Sequence, residues 1–215
     1  MTKEPEGPDL PLRQRKKQET RRRISDVASA LFLERGFDNV TVVETAKAAD
    51  VSTMTVFNYF PRKEDLFLDR IPEAIELFTG AVRDRRDDET PLTALRRVTL
   101  ELIDQGHPLT IAQERFLPFW RVVGDSPALR ARGREALEEL ETALAATIAE
   151  TTDGGAHDLR PRLTAALAVA AYRTVATASL AGLVAGEPEH TVLEDHRALV
   201  YRTFDALERA LPDAT

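Results

Sequence analysis

The chain has 215 residues, with 29 Lys/Arg against 36 Asp/Glu for a net charge of −7, and it contains no cysteine. This length allows one large domain or two modest ones, and the lack of cysteine excludes disulfides, thiolate zinc sites and cysteine nucleophiles. The charge is uneven, because residues 11–63 carry 11 Lys/Arg against 6 Asp/Glu while the rest of the chain carries 18 against 30. Attraction to phosphate is therefore expected only near the N-terminus.

The N-terminal segment contains several prolines among charged residues, and we predict that residues 1–16 form a flexible basic arm. Its basic side chains could add nonspecific phosphate contacts. It lacks the apolar region of a signal peptide. No apolar run approaches the roughly 20 residues that cross a bilayer, so we expect a cytoplasmic protein with no membrane partner.

Three short helices are predicted within residues 17–63. Apolar residues recur at helical spacing in the first helix, and Gly36 ends it as a left-handed cap. A capping box, Thr41 to Glu44, starts the second helix, which runs to about Ala49. Ser52 caps the third helix, which continues to Tyr59 before Pro61 stops it.

The tight turn between the second and third helices is typical of a helix-turn-helix, which offers its second helix to the major groove of DNA. Asn58 could pair with adenine, and Met54 could contact a thymine methyl group. Residues at the helix ends and flanks suit phosphate oxygens. Met54 and Phe57 could instead belong to the core, and Arg21–Arg23 could be a solvated helix start. The predicted DNA-binding residues are Thr41, Ser52, Thr53, Met54, Thr55, Phe57, Asn58, Tyr59 and Lys63.

Beyond the third helix, capping residues before prolines predict helix starts at Thr90-Pro91, Ser126-Pro127 and Arg160-Pro161. The predicted stops are Gly106, Gly124, Gly154-Gly155 and Gly186, and a second capping box, Thr191 to Glu194, is predicted to start a last helix ending near Leu211. A helix over 63–86 contains Pro72, which forces either two short helices joined there or a hinge. No segment alternates with a period of two. We therefore predict an all-α protein of about nine helices, with a helix-turn-helix head on a helical-bundle body, residues 64–215.

The head resembles the N-terminal domain of the tetracycline-repressor (TetR) family of transcriptional regulators over about Gln18 to Leu68. The matching motifs are Ala30-Leu31-Phe32, Arg35-Gly36-Phe37, Thr41-Val42 with Ala46, Val51-Ser52, Thr55 to Phe60 and Lys63 to Leu66. The resemblance implies a homodimer, a palindromic operator and a helical body that binds a small molecule. It also implies that Thr41, Thr53, Thr55, Phe57, Tyr59 and Lys63 approach DNA. Met54 stands where glycine is common and Asn58 where an aromatic or basic residue often stands, so the resemblance does not supply the operator sequence.

The body is predicted to carry the dimer surface and an effector pocket. An alanine-rich, apolar helix near 161–185 and the last helix could pair with their symmetry mates, although an ordinary monomeric core would look similar. The last helix would use one apolar stripe, formed by Leu193, Val200, Phe204, Leu207 and Leu211. The histidine spacing favours no metal site, and no cofactor or catalytic motif is present, so we expect no enzyme. We predict a ligand-responsive repressor that a small apolar or amphipathic molecule releases from its operator. The alternative is an architectural DNA-binding protein without an inducer, and a remoter one is a helical carrier or enzyme. The predicted pocket residues, each also suited to the core, are Leu102, His107, Phe116, Phe119, Trp120 and Tyr172.

Overall fold

The structure is a computed structural model that describes residues 12–152 and 158–211. Within these ranges the chain forms nine α-helices, three 3₁₀ turns and no strand, which confirms the all-α prediction. The chain divides into two compact units, a head that ends at Asp69 and a body that begins at Arg70. The head therefore extends six residues beyond the predicted boundary at Lys63.

The head contains three helices and a 3₁₀ turn: α1 (Leu12–Arg35), α2 (Val42–Ala48), α3 (Thr53–Tyr59) and the turn Glu64–Leu66. Gly36 follows α1 with a φ of 81°, as predicted for a left-handed cap. The predicted arm was wrong for residues 12–16, which form the start of α1. These residues include Leu12, Arg13, Gln14 and Lys16, which favour helix. Residues 1–11 lie outside the described ranges.

The body contains the other six helices: α4 (Ile71–Arg83), α5 (Pro91–Asp104), α6 (Leu117–Asp125), α7 (Pro127–Thr151), α8 (Arg160–Ala185) and α9 (Glu189–Ala210). Short 3₁₀ turns at Pro108–Thr110 and Glu114–Phe116 connect α5 to α6. In the body core, α8 packs against α7 and α9, α4 against α7, and α5 against α9.

The predicted helix starts at prolines are confirmed. The Thr90 hydroxyl accepts a hydrogen bond from the Thr93 amide at 3.0 Å, and Ser126 caps α7 in the same way. Pro161 lies in the first turn of α8, and Gly186 ends that helix with a φ of 84°. The predicted stop at Gly154-Gly155 lies outside the described residues.

The chain breaks at Pro72, as one of the two alternatives predicted, but the segment before the break is a 3₁₀ turn rather than a helix. Helix α4 starts at Ile71, so Pro72 lies in its first turn, where its missing N–H costs nothing. Two other local predictions for the body were wrong. Gly124 does not stop α6, which runs on to Asp125. Thr191 does not cap α9, because that helix already begins at Glu189 after Pro188.

Helix α8 is the one helix in the described ranges that is long and apolar enough, by length and composition, to cross a membrane. The expectation that no segment meets this test was therefore wrong. The apolar character has a local cause, because α8 packs between α7 and α9 and buries small side chains such as Ala165, Ala168 and Ala171 in the body.

Candidate nucleic-acid interface

The head is held together by an aromatic core. The Phe32 side chain of α1 is fully buried, with its ring centroid 4.9 Å from that of Phe37 and 5.6 Å from that of Phe67. The last of these follows the 3₁₀ turn, which explains why the head ends at Asp69 rather than Lys63. Val56 on α3 and Phe60, which follows α3, are also fully buried. This packing fixes α3 as a rigid element.

The turn between α2 and α3 depends on two local features. Asp50 adopts a left-handed conformation with a φ of 51°, which an aspartate tolerates better than most residues. The Ser52 hydroxyl then caps α3 by accepting a hydrogen bond from the Thr55 amide at 3.0 Å. The sequence predicted the cap, but the left-handed conformation of Asp50 was not predicted, because neither glycine nor asparagine, its most typical residues, stands in the turn.

The outer face of α3 exposes an apolar pair and an amide. The Met54 side chain is 69% exposed and the Phe57 side chain 45% exposed, and Asn58 is exposed beside them. These three positions are spaced i, i+3 and i+4, so they share one face of the helix. The exposures exclude the alternative that Met54 and Phe57 belong to the head core. Thr53, Thr55 and Tyr59 are half-buried at the edges of this face.

Lys63 is tied to the start of the loop after α1. Its ammonium group donates a hydrogen bond to the Phe37 carbonyl at 2.7 Å and lies 4.1 Å from the centre of the Phe37 ring. Partial burial lowers the pKa of Lys63, opposed by the nearby carboxylates of Asp38 and Glu64. One of its three donors is therefore engaged inside the head.

Thr41 and Glu44 form the complete capping box at the start of α2. The Thr41 amide donates to the Glu44 carboxylate at 2.8 Å, and the Glu44 amide donates to the Thr41 hydroxyl at 3.1 Å. The hydrogen bond from the Thr41 amide, together with the hydrogen bond from Arg35, lowers the pKa of Glu44 to about 2. The Thr41 hydroxyl is thus fixed at the surface of the head beside a helix start.

A contact network that the sequence did not reveal joins α1 to the end of the head. The Ser25 hydroxyl donates to the Asp69 carboxylate at 2.6 Å, and the Arg21 guanidinium donates to the Asp69 carbonyl at 3.1 Å. The same guanidinium lies 4.6 Å from the centre of the Phe60 ring. Arg21 is therefore a structural residue of the head, and the alternative that it is only a solvated residue at a helix start is wrong.

The body encloses a small apolar cavity of about 20 Å³ in its core. Its two polar lining groups are satisfied internally, because the Tyr172 hydroxyl donates to the Leu109 carbonyl at 2.6 Å and the Thr99 hydroxyl to the Leu95 carbonyl at 2.8 Å. Burial raises the pKa of Tyr172 to about 12. The cavity is lined by Phe78, Leu95, Thr99, Leu140, Leu144, Ala168, Val169, Tyr172 and Phe204.

Of the six residues that the sequence proposed for a pocket, Tyr172 alone lines this cavity. Leu102 belongs to the surrounding core. The His107 ring lies 3.4 Å from the Glu73 carboxylate. Phe116, Phe119 and Trp120 lie around the start of α6, where the Phe119 and Trp120 rings meet edge to face at 5.0 Å. Phe78 was not among the predicted pocket residues, because periodicity along one helix does not show which side chains line a cavity between several helices.

Comparison with known proteins bears on both units. The family model described as "Bacterial regulatory proteins, tetR family" matches residues 24–69, and the model "MftR C-terminal domain" matches residues 89–212. The HTH-type transcriptional regulator TcmR of Streptomyces glaucescens is 34% identical over 176 residues, which cover 80% of this chain and 76% of TcmR.

Solved structures share the fold. A TetR-family regulator from Streptomyces coelicolor A3 has 25% sequence identity and a TM-score of 0.51, covering 93% of this chain and 99% of that one. The SmeT–triclosan complex has 20% identity and a TM-score of 0.56, covering 88% of this chain and 91% of SmeT. The proteins of this family are regulators rather than enzymes, as the sequence predicted for this chain. With the helix-turn-helix geometry of α2 and α3, these matches show that the chain belongs to the TetR family and is a DNA-binding transcriptional regulator.

Proposed function

We propose that this regulator is a cytoplasmic homodimeric repressor that binds a palindromic operator through α3 and is released by a small apolar molecule. The observation that carries the DNA-binding part is the exposed face of Met54, Phe57 and Asn58 on a helix whose opposite side is fully buried. A bound dimer would block access to a promoter. The other proposed contacts to the DNA are Thr41, Ser52, Thr53, Thr55, Tyr59 and Lys63.

Dimerisation is proposed through the outer faces of α8 and α9. The apolar stripe of α9 that the sequence assigned to the dimer, including Val200 and Phe204, packs into the core of its own body. The outer face of α8 instead exposes small side chains at helical spacing, namely Thr174, Thr177, Ala178, Ala181, Val184 and Ala185. Small side chains let a second copy approach closely, and a two-fold axis brings the same patch together from both copies.

The dimer proposal predicts a specific pair of outcomes. Ala181→Arg places a long charged side chain in the middle of the α8 face and should give a monomer in analytical ultracentrifugation. Ala146→Arg makes the same change at another exposed alanine, on α7, and should leave the dimer intact. A dimer in both variants would contradict the proposed surface.

The effector site is proposed at the apolar cavity. Its present volume of about 20 Å³ is far below the roughly 300–1,000 Å³ of small-molecule sites, so a ligand fits only in an expanded conformer of the body. Because the Tyr172 and Thr99 hydroxyls are already bonded within the protein, the expanded site favours an uncharged, apolar ligand. The SmeT–triclosan complex is a precedent for a ligand in a protein of this fold.

The link from the cavity to the head is proposed to be α4. This helix supplies Phe78 to the cavity wall, where its ring packs edge to face against Tyr172 at 5.6 Å, and it starts two residues after the head ends. A ligand that displaces Phe78 is therefore proposed to move the first helix after the DNA-binding unit in the chain. A ligand that binds the expanded conformer more tightly than the unexpanded one lowers operator affinity. The largest possible decrease is set by the difference between the ligand's affinities for the two conformers.

The coupling is tested with triclosan as the first probe and a panel of uncharged aromatic compounds. Those that raise the melting temperature of the full-length protein are added to operator complexes. We expect them to lower operator affinity, and Ala168→Phe, which fills the cavity, to abolish both effects. Compounds that bind in the cavity without changing operator affinity would refute the coupling and favour the architectural alternative, which also predicts weak sequence preference.

A further inference from the structure

We propose that α3 identifies its operator chiefly by the C5-methyl groups of thymines, read by Met54 and Phe57. This inference rests on the proposed sequence-specific function and goes further, because it names the chemical group that is recognised. Its starting point is the composition of the exposed face of α3, where two large apolar side chains are 69% and 45% exposed on a helix of seven residues.

The polar groups at the start of α3 are already engaged with one another. The Ser52 and Thr55 hydroxyl oxygens lie 2.8 Å apart, and the Ser52 hydroxyl also accepts the Thr55 amide. These hydroxyls are committed to the cap of the helix, and hydrogen bonds to base edges would have to compete with it. The freely presented chemistry at the centre of the face is therefore apolar, with Asn58 as its one exposed amide.

The major groove offers one apolar group to such a surface, the C5-methyl group of thymine. An A·T pair presents that methyl group next to the adenine N6 and N7 atoms, which an asparagine side chain can bind in bidentate fashion. Met54 and Asn58 are four residues apart on the same face, with Phe57 between them. One or two neighbouring A·T pairs would therefore satisfy both the apolar pair and the amide.

The charge of the head supports DNA as the occupant of this apolar face rather than another protein surface. Residues 11–63 carry a net excess of five positive charges in a chain that is otherwise acidic. Attraction between the basic head and the phosphates brings α3 to the major groove of any DNA sequence. Burial of thymine methyl groups against Met54 and Phe57 then favours sequences that carry thymine at the contacted positions.

The test begins with duplexes selected from random DNA by the full-length protein. Each thymine of one half-site is replaced in turn by deoxyuridine, which removes only the methyl group and keeps every base-pairing atom. Affinity is measured by fluorescence anisotropy at a fixed salt concentration. At one or two positions we expect wild-type affinity to fall about fourfold per methyl group, the size expected for one buried apolar carbon.

Variants assign the effect to the side chains. Met54→Ala or Phe57→Ala should bind the thymine duplex more weakly and lose no further affinity on uracil substitution at the position that its side chain reads. The matched controls are Val43→Ala, at 63% exposure on α2, and Leu33→Ala, at 46% exposure on α1. Both controls should retain the wild-type penalty for uracil, because neither residue lies on α3.

The outcomes separate this inference from the proposed function. Sequence-selective binding with no uracil penalty at any position, or a selected half-site without thymine, overturns thymine reading and leaves the sequence-specific regulator intact. A full uracil penalty that persists in both α3 variants also overturns it. Binding without any sequence preference overturns the proposed function and this inference together.

Discussion

The buried His196 should make this protein lose stability in mildly acidic solution. Its side chain is 2% exposed between α8 and α9, and its Nδ1 lies 2.6 Å from the Ser179 hydroxyl oxygen. The same hydroxyl lies 3.1 Å from the Val175 carbonyl oxygen, so Ser179 connects the imidazole to the backbone of α8. Burial lowers the pKa of His196 from 6.5 to about 4.

The direction of the effect follows from this lowered pKa. In the unfolded chain His196 takes up a proton near its ordinary pKa of 6.5, whereas in the folded chain it does so only near pH 4. The contribution of neutral His196 to stability is therefore fully present above about pH 6.5 and is lost as the pH falls from about 6.5 to about 4. Between about pH 7.5 and about pH 5 the loss from this one group is roughly 2 kcal/mol. Glu44 does not contribute to this loss, because its carboxylate, with a pKa of about 2, stays charged between pH 7.5 and pH 5.

Urea unfolding followed by circular dichroism measures the effect. His196→Gln keeps an amide that can donate to or accept from Ser179 but does not titrate. Its free energy of unfolding should therefore change less between the two pH values than that of the wild type, by about 2 kcal/mol. His190→Gln, at an exposed histidine on the same helix, should behave like the wild type. An identical pH dependence in the wild type and His196→Gln would refute the reasoning.

Three further predictions concern the head. Asp50→Gly should raise the melting temperature, since glycine adopts the left-handed conformation at φ 51° without the cost of up to about 1 kcal/mol that a side chain adds, and an unchanged or lower value would contradict this. Phe32→Ala should lower the free energy of unfolding by about 3–5 kcal/mol in urea titrations, and a loss below about 1 kcal/mol would mean that its fully buried ring is not the centre of the core. Carbon NMR should show the Glu44 carboxylate titrating near pH 2, and Arg35→Gln should raise that value, whereas titration near 4.5 in the unaltered protein would rule out the capping-box geometry.

The head was predictable from the sequence because its signals are local. Gly36, the Thr41–Glu44 box and Ser52 each specify a helix end through contacts within four residues, and the structure forms every one of them. The exposed face of α3 followed from the same periodicity. The hydrogen bond from Lys63 to the Phe37 carbonyl could not be predicted in this way, because it joins residues 26 positions apart.

The body was predictable in class but not in its interior. Proline and glycine marked most helix ends, yet Thr191 carried a capping pattern that the earlier start of α9 overrode. The cavity draws side chains from five helices, so its lining depends on how those helices pack, which periodicity along one helix does not determine. Aromatic content pointed to Trp120 and Phe119, whereas packing placed Phe78 and Phe204 at the cavity.

The central claim is that the exposed face of α3 binds a specific DNA sequence. We would measure binding of the full-length protein to the DNA immediately upstream of its own gene by fluorescence anisotropy, with scrambled competitor and rising salt. Phe57→Ala is compared with Leu33→Ala, because the two side chains have nearly equal exposure in the head. We expect tight binding that survives the competitor, is retained in Leu33→Ala and is weakened in Phe57→Ala. Equal binding of both variants, or equal binding to scrambled DNA that salt abolishes, would contradict it.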